Sequence, residues 1–140
     1  MTSFISHLTV DCANAFELSE WWKPVLGFTD LPGDPNEPGH EECMIVDPDT
    51  GQQVLFLETP DRKVTKNRLH LDLRPRPGSG SRDDELERLL DLGATQVADH
   101  RGIYGPGSGW VVLADPEGNE FCILRSQAEL DEQQPPPAQA

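Results

Sequence analysis

Some segments of this chain alternate apolar and polar residues, as strands do, and others repeat apolar residues with the period of a helix. The order of these segments predicts two successive βαβββ halves. In the first half, an Asn-x-x-Glu capping box at 14–17 marks the start of a helix. We expect Phe16, Trp21 and Val25 to form its buried stripe, with only one residue of the Trp21-Trp22 pair fully buried. The predicted elements are a strand at 4–10, a helix at about 13–23, and strands at 28–30, 43–46 and 53–57.

The second half repeats this order, with Ser81 as the predicted cap of its helix. A Pro- and Gly-rich loop at 31–42 and a charged linker at 61–67 interrupt the strands. The polar, proline-rich segment 127–140 predicts a disordered tail after a domain at 1–126. The second-half elements are a strand at 68–73, a helix at 82–92, and strands near 96–99, 110–114 and 120–124.

Two motifs recur at similar offsets, which indicates an internal repeat. The sequence around His7 resembles that around His70, 63 residues later, and both begin a half. An Asp-Pro turn at Asp47 is matched 68 residues later at Asp115, and an apolar strand follows each turn. We therefore interpret the chain as two copies of one unit, about 4–60 and 67–125.

Composition excludes several classes of function. The formal net charge of −14 over 140 residues argues against nucleic acid and anionic membrane surfaces as partners. No apolar run has the ~20 residues of a membrane span, and no signal peptide is recognisable. Three unpatterned cysteines argue against a disulfide framework, so we expect a reduced, cytoplasmic protein.

These motifs together resemble the vicinal oxygen chelate superfamily, which includes glyoxalase I, bleomycin-resistance proteins, fosfomycin-resistance enzymes and extradiol dioxygenases. The most specific segments are 6–10, 25–28 and 115–121, and residues 68–73 resemble the glyoxalase-like branch. The resemblance implies an α+β fold in which two tandem βαβββ modules form a curled mixed sheet around a central cleft, with helices outside. Because this fold hosts many reactions, it does not by itself imply one.

The resemblance also implies positions for a metal. Superfamily enzymes use a histidine in the first strand of each half, which matches His7 and His70. Their glutamate in the last strand falls on Cys122, and the second glutamate of glyoxalase I falls on Leu55, or on Leu57 if the register shifts. A catalytic metal needs about three protein ligands. The metal candidates are therefore His7 and His70 with Cys122 or Glu120, holding zinc, nickel, manganese or iron.

Other side chains are candidates for ligand contacts. Asp72 has the same strand parity as His70 and is either a base, an imidazole partner, a polar binder or a solvated acid. Trp110 either stacks on a planar ligand or closes the core. The glycine-rich segment 102–109 predicts a flexible lid with Tyr104 and His100 at its rim. The full set expected to line the cleft is His7, Thr9, Leu55, Leu57, His70, Asp72, Trp110 and Cys122.

Two functions follow as hypotheses. The first is a glyoxalase-like small-molecule binding protein, for drug or metabolite sequestration or metal-independent chemistry, which needs no complete metal site. The second is a metal-dependent lyase, isomerase or dioxygenase that uses the candidate ligands; glyoxalase I activity is disfavoured because both carboxylates are replaced. A regulatory or scaffold domain is a third reading. Relatives pair modules within one chain or across a dimer, and we favour a homodimer.

Overall fold

A computed structural model describes residues 1–133 of the chain. The chain divides into two compact units, Met1–Val64 and Thr65–Ala140, called here the first and second unit. Each unit begins with a strand, a helix and three further strands, in that order. The βαβββ order predicted for each half is therefore confirmed.

The helix of the first unit, α1, spans Ala15–Leu26. The Asn14 side chain caps it by accepting a hydrogen bond from the Glu17 amide, as the capping box predicts. The predicted end was too early, because Pro24 lies in the last turn and the helix ends only where Gly27 adopts a left-handed φ of 70°. The predicted stripe was also partly wrong: Trp22 is buried, whereas Phe16 and Trp21 are only half-buried.

The first sheet has the order β1-β4-β3-β2. Its central strands form the predicted hairpin, and β1 pairs with β4 in parallel. Along β4, Val54 and Phe56 are buried while Leu55 and Leu57 are half-buried, which is the alternation of a sheet with one face under a helix. The strands are β1 Leu8–Cys12, β2 Thr29–Asp30, β3 Glu42–Val46 and β4 Gln53–Glu58.

The second unit repeats this topology, with the order β5-β8-β7-β6 and parallel pairing of β5 with β8. Its helix begins with a capping box in which Ser81 and Asp84 bond each other's backbone, so the predicted cap is confirmed. The repeated strand order explains the repeated sequence motifs. The elements are β5 Leu71–Leu73, α2 Arg82–Asp91, β6 Thr95–Asp99, β7 Val111–Ala114 and β8 Glu120–Ile123.

The two Asp-Pro motifs are structural. Asp115 is buried, and its carboxylate accepts hydrogen bonds from the amides of Glu117 and Asn119 at 2.9 and 3.0 Å. Asp47 is buried in the same way and accepts from the Asp49 amide at 2.9 Å. Each aspartate closes the turn that leads into the last strand of its unit. This structural role is sufficient to explain why the motif occurs in both halves.

The segment predicted to be a disordered tail begins with a helix, α3, at Gln127–Gln133. The Glu129 amide donates to the Ser126 hydroxyl, and the Ser126 amide donates to the Glu129 carboxylate at 2.7 Å. This Ser-x-x-Glu capping box is a helix signal that the polar composition obscured. The rest of the predicted tail, 134–140, lies outside the described residues. Within residues 1–133, no helix has the length and apolar character needed to cross a membrane.

Candidate functional site

Four of the predicted ligand-contacting residues belong to the first unit. His7 lies one residue before β1 rather than within it, and its Nδ1 is 2.9 Å from the Ser6 hydroxyl. Thr9 pairs with Leu55, so both lie on the sheet face opposite the buried Val54 and Phe56. With Leu57 on the same face, the first unit presents two half-buried leucines, and the superfamily resemblance matches one or the other of them to a carboxylate of glyoxalase I.

Three of the predicted residues in the second unit form a cluster. Asp72 of β5 pairs directly with Cys122 of β8, which places both side chains on one sheet face. The Nε2 atom of His70 lies 3.4 Å from Oδ1 of Asp72. One ligand atom from each of His70, Asp72 and Cys122 lies within 4.8 Å of the other two. This group is called the His-Asp-Cys cluster below.

The members of the cluster differ in exposure. The side chains of His70 and Asp72 are 36 % and 52 % exposed, whereas Cys122 is buried. Burial, together with the neighbouring Asp72 carboxylate, raises the pKa of the Cys122 thiol to about 11. In the absence of a cation the thiol is therefore protonated at neutral pH.

Glu120, the other predicted metal candidate on β8, has a different partner. Its Oε2 atom accepts a hydrogen bond from the Asn67 amide at 2.9 Å, which ties β8 to the segment before β5. Glu58 is also engaged, because its carboxylate accepts from the Ala15 amide at the start of α1. The carboxylate that joins the histidine and cysteine is Asp72.

The predicted Trp110 lies immediately before β7 and is half-buried. Its ring centroid is 4.9 Å from that of His100 and 6.3 Å from that of Tyr104, with interplanar angles of 37° and 34°. The two residues predicted as rim contacts therefore both lie beside the tryptophan ring. We call these three residues the aromatic cluster.

The loop that carries the aromatic cluster differs from the flexible lid predicted for it. The Ser108 hydroxyl donates to the Gly105 carbonyl and accepts from the Tyr104 amide, and the Gly102 amide donates to the Ser108 carbonyl. Arg82, which is buried at the start of α2, donates from Nη1 to the carbonyls of Ser108 and Gly109 at 2.8 and 3.0 Å. The loop is thus folded on itself and fastened to a helix.

Comparison with known families decides the classification. A sequence model described as "Glyoxalase-like domain" matches residues 7–124, most of the chain. The protein belongs to the glyoxalase-like domain family. The family is part of the vicinal oxygen chelate superfamily, so the resemblance drawn from the sequence is confirmed. No curated protein gives a significant match to the glyoxalase-like chain.

Solved structures confirm the fold of this glyoxalase-like protein. A point mutant of the fosfomycin resistance protein FosX from Listeria monocytogenes, in complex with Mn(II) and 1S,2S-dihydroxypropylphosphonic acid, is 16 % identical with a TM-score of 0.66, covering 95 % of this chain and 98 % of that one. FosX from Mesorhizobium loti is 12 % identical with a TM-score of 0.62, covering 96 % and 100 %. A structure described as a possible glyoxalase from Bacillus cereus is 15 % identical with a TM-score of 0.61, covering 88 % and 99 %.

Arg82 is the residue of the glyoxalase-like chain that sequence reasoning missed. An arginine at the first position of a helix ordinarily lies in solvent, and its sequence neighbours give no sign of burial. Its acceptors, Ser108 and Gly109, are 26 and 27 residues away. Only the three-dimensional approach of the loop to α2 identifies the arginine as its anchor.

Proposed function

We propose that this glyoxalase-like protein binds a small molecule at the His-Asp-Cys cluster, where His70, Asp72 and Cys122 hold a divalent metal. The observation that carries the proposal is the approach of these three ligand atoms to within 4.8 Å of one another in the second unit. The sequence assigned a third ligand to Cys122 or Glu120. Asp72 supplies instead the carboxylate missing from the superfamily pattern.

The donor atoms fit a metal ion. Metal–ligand bonds of roughly 2.0–2.3 Å place tetrahedral donors about 3.5–4 Å apart, so small rotations of the exposed His70 and Asp72 side chains suffice. A thiolate, an imidazole and a carboxylate together favour zinc over magnesium or manganese. Three protein ligands also leave a position for an oxygen atom of the bound molecule.

The chain's own groups set the chemistry of this site. A divalent ion, when bound, supplies Lewis-acid polarisation of a ligand oxygen. Asp72 lies beside both partners, with its Oδ1 atom 3.4 Å from Nε2 of His70. The buried Cys122 fixes the inner end of the site, while the exposed His70 and Asp72 face an incoming molecule.

The proposal is tested by elemental analysis of protein purified without a histidine tag or chelator, followed by thermal-shift titration with zinc, nickel, manganese and iron(II). We expect near-stoichiometric zinc, and a rise in melting temperature that His70→Ala, Asp72→Asn and Cys122→Ser each abolish. Zinc stabilisation that survives all three substitutions would refute the assignment.

Two histidines outside the cluster provide matched controls. His40→Ala removes an exposed imidazole beside Glu37 in the loop before β3, and it should leave zinc content unchanged. His7→Ala tests the pair of histidines implied by the superfamily resemblance. Loss of zinc in His7→Ala as well as His70→Ala would replace the cluster by the ligand set that the superfamily resemblance implies, His7 and His70 with Cys122 or Glu120.

A second candidate function is metal-free small-molecule binding, favoured by Leu55 and Leu57. These half-buried leucines give the open face of the first sheet an apolar surface where glyoxalase I has a metal-binding carboxylate. An apolar surface suits capture of a partly apolar guest. On this hypothesis Leu57→Glu weakens the binding of an identified guest, measured by calorimetry, and unchanged affinity would exclude Leu57 from the binding surface.

A further inference from the structure

The aromatic cluster in the second unit is not used by the proposed metal site. Its rings lie at centroid separations of 4.9 and 6.3 Å, within the range of offset-stacked aromatic pairs. Tyr104 is nevertheless 78 % exposed, and the neighbouring Ile103 is 52 % exposed. An exposed aromatic ring held against a half-buried one leaves apolar surface open to a further planar group.

Trp110, the residue that joins the aromatic cluster to the sheet, belongs to the same sheet face as Cys122. Val112 pairs with Cys122, and Trp110 precedes Val112 by two residues, so strand alternation assigns both to the face of Cys122. The hydrogen bond from the His100 amide to the Trp110 carbonyl continues the β6–β7 ladder and keeps Trp110 in that alternation. One molecule on this face can therefore approach both clusters.

The loop holds its aromatic residues in a preformed arrangement. Its far end is fastened by Arg82, and its near end is fastened by Arg101, which pairs with Asp99 at 2.7 Å and Asp83 at 3.2 Å. Ordering a loop before binding lowers the entropy lost when a ligand binds. An exposed tyrosine on such a loop is suited to recognition.

The charge around the loop indicates a neutral ligand. Arg82 and Arg101 are matched by Asp83 and Asp99, so these four groups cancel formally. The protein as a whole carries a net charge of −14, which repels anionic aromatics. We therefore expect the affinity for a ligand at this loop to come from apolar stacking rather than from ion pairing.

We infer that the aromatic cluster is the stacking surface for a neutral, planar aromatic group of the small molecule that this protein binds. The inference rests on the proposed small-molecule function and adds a ligand class to it. Trp110 and Tyr104 are the contact residues. Arg82 is a positioning residue, because it acts through the loop.

The test uses 2-naphthol as the probe and decahydro-2-naphthol, which keeps the hydroxyl but lacks aromatic rings, as the matched control. Binding is followed at pH 7 through the indole N–H resonances of ¹⁵N-labelled protein, with Trp110 assigned from a Trp110→Phe variant. We expect 2-naphthol to shift the Trp110 resonance saturably. The decahydro compound should bind at least several-fold more weakly.

Substitutions at Tyr104 locate the contact. Tyr104→Leu removes one stacked ring and should weaken 2-naphthol binding by roughly 2- to 10-fold, whereas Tyr104→Phe should retain it. Phe4→Leu removes another exposed aromatic ring, elsewhere in the chain, and should have no effect. Because Tyr104 is exposed, its replacement leaves the fold intact, which the dispersion of the amide spectrum verifies.

Three outcomes overturn the inference: an unshifted Trp110 resonance, equal binding of the decahydro compound, or equal weakening by Tyr104→Leu and Phe4→Leu. The metal proposal fails separately. If His70→Ala loses zinc but still binds 2-naphthol, the two sites act independently. If no zinc binds to the wild-type protein while 2-naphthol still shifts Trp110, only the metal assignment is lost.

Discussion

A single buried arginine connects the second helix to the loop of the aromatic cluster. Arg82→Met keeps most of the side-chain volume but removes the donors to the Ser108 and Gly109 carbonyls. Hydrogen bonds from a charged group contribute roughly 1.5–3 kcal/mol each, so we expect the free energy of unfolding to fall by about 2–4 kcal/mol in urea denaturation.

Arg88→Met is the control for this change, because Arg88 lies in the same helix and its guanidinium pairs with Glu85 at 45 % exposure. Exposed ion pairs contribute about 0–1 kcal/mol, so this variant should lose far less stability. Equal losses in the two variants would show that Arg82 is not an anchor of the loop.

The Cys122 thiol predicts how metal affinity depends on pH. Burial and Asp72 raise its pKa from 9.0 to about 11, so a metal must displace the thiol proton throughout the range of pH 7–9. Release of one proton makes affinity increase about tenfold per pH unit, beyond any contribution from other ligands. Zinc titrations of the wild-type protein at pH 7, 8 and 9 measure this dependence, and an affinity that does not change with pH would argue against thiolate ligation.

At the residue scale, strand alternation predicted which side chains share a face. The parity of Asp72 predicted that it shares a face with His70, since alternate residues of an extended strand point the same way, whereas His70 and Cys122 were predicted from the superfamily resemblance. The choice of Asp72 over Glu120 as the acidic neighbour could not be predicted. It depends on the hydrogen bond that the Asn67 amide donates to the Glu120 carboxylate, and on the pairing of Asp72 with Cys122 across β5 and β8.

Among the structural elements, the loop between β6 and β7 depends on one glycine. Gly109 has a φ of +90°, and a Cβ atom built there would lie 1.9 Å from the His100 carbonyl oxygen. Gly105, in the same loop, has a φ of +111° but has no atom within 4 Å of such a Cβ. Alanine substitutions at these two glycines therefore distinguish two effects. Both carry the cost of positive φ, but only the substitution at Gly109 adds a steric collision.

We expect Gly105→Ala to cost roughly 1–2 kcal/mol of stability, the usual penalty for a side chain in this backbone region. Gly109→Ala should cost at least about 1 kcal/mol more and shift the amide resonances of residues 99–110, because the β6–β7 ladder must open at His100. Thermal denaturation and amide spectra measure both effects. Equal costs would mean that the loop relaxes freely around position 109.

The elements themselves were predicted well where local signals agree. Both βαβββ orders and both helix caps follow from spacing and capping residues that lie within a few positions of each other. The ends were less well predicted: α1 was expected to end at about 23, but its last turn tolerates Pro24 and the helix continues to the stop at Gly27. The helix α3 was missed because composition outweighed the capping box at 126–129.

For the molecule as a whole, the excess of acidic groups predicts a response to salt. With 25 acidic and 11 basic residues, repulsion between carboxylates exceeds the attraction of the surface ion pairs. Raising NaCl from about 10 mM to 500 mM shortens the screening length from roughly 30 Å to a few ångströms. We expect the melting temperature in EDTA to rise by about 2–5 °C, and a fall would indicate that ion pairs dominate.

The parallel pairing of the first strand with the last in each unit sets an order for folding. Forty residues lie between the end of β1 and the start of β4, and forty-six lie between β5 and β8. The hairpin contacts are local in sequence and form on the microsecond scale. The initial strand of each unit pairs later, because its partner strand is distant in sequence. During synthesis the first sheet can close before β8 exists, so the chain completes the same assembly twice, in series from its N-terminus.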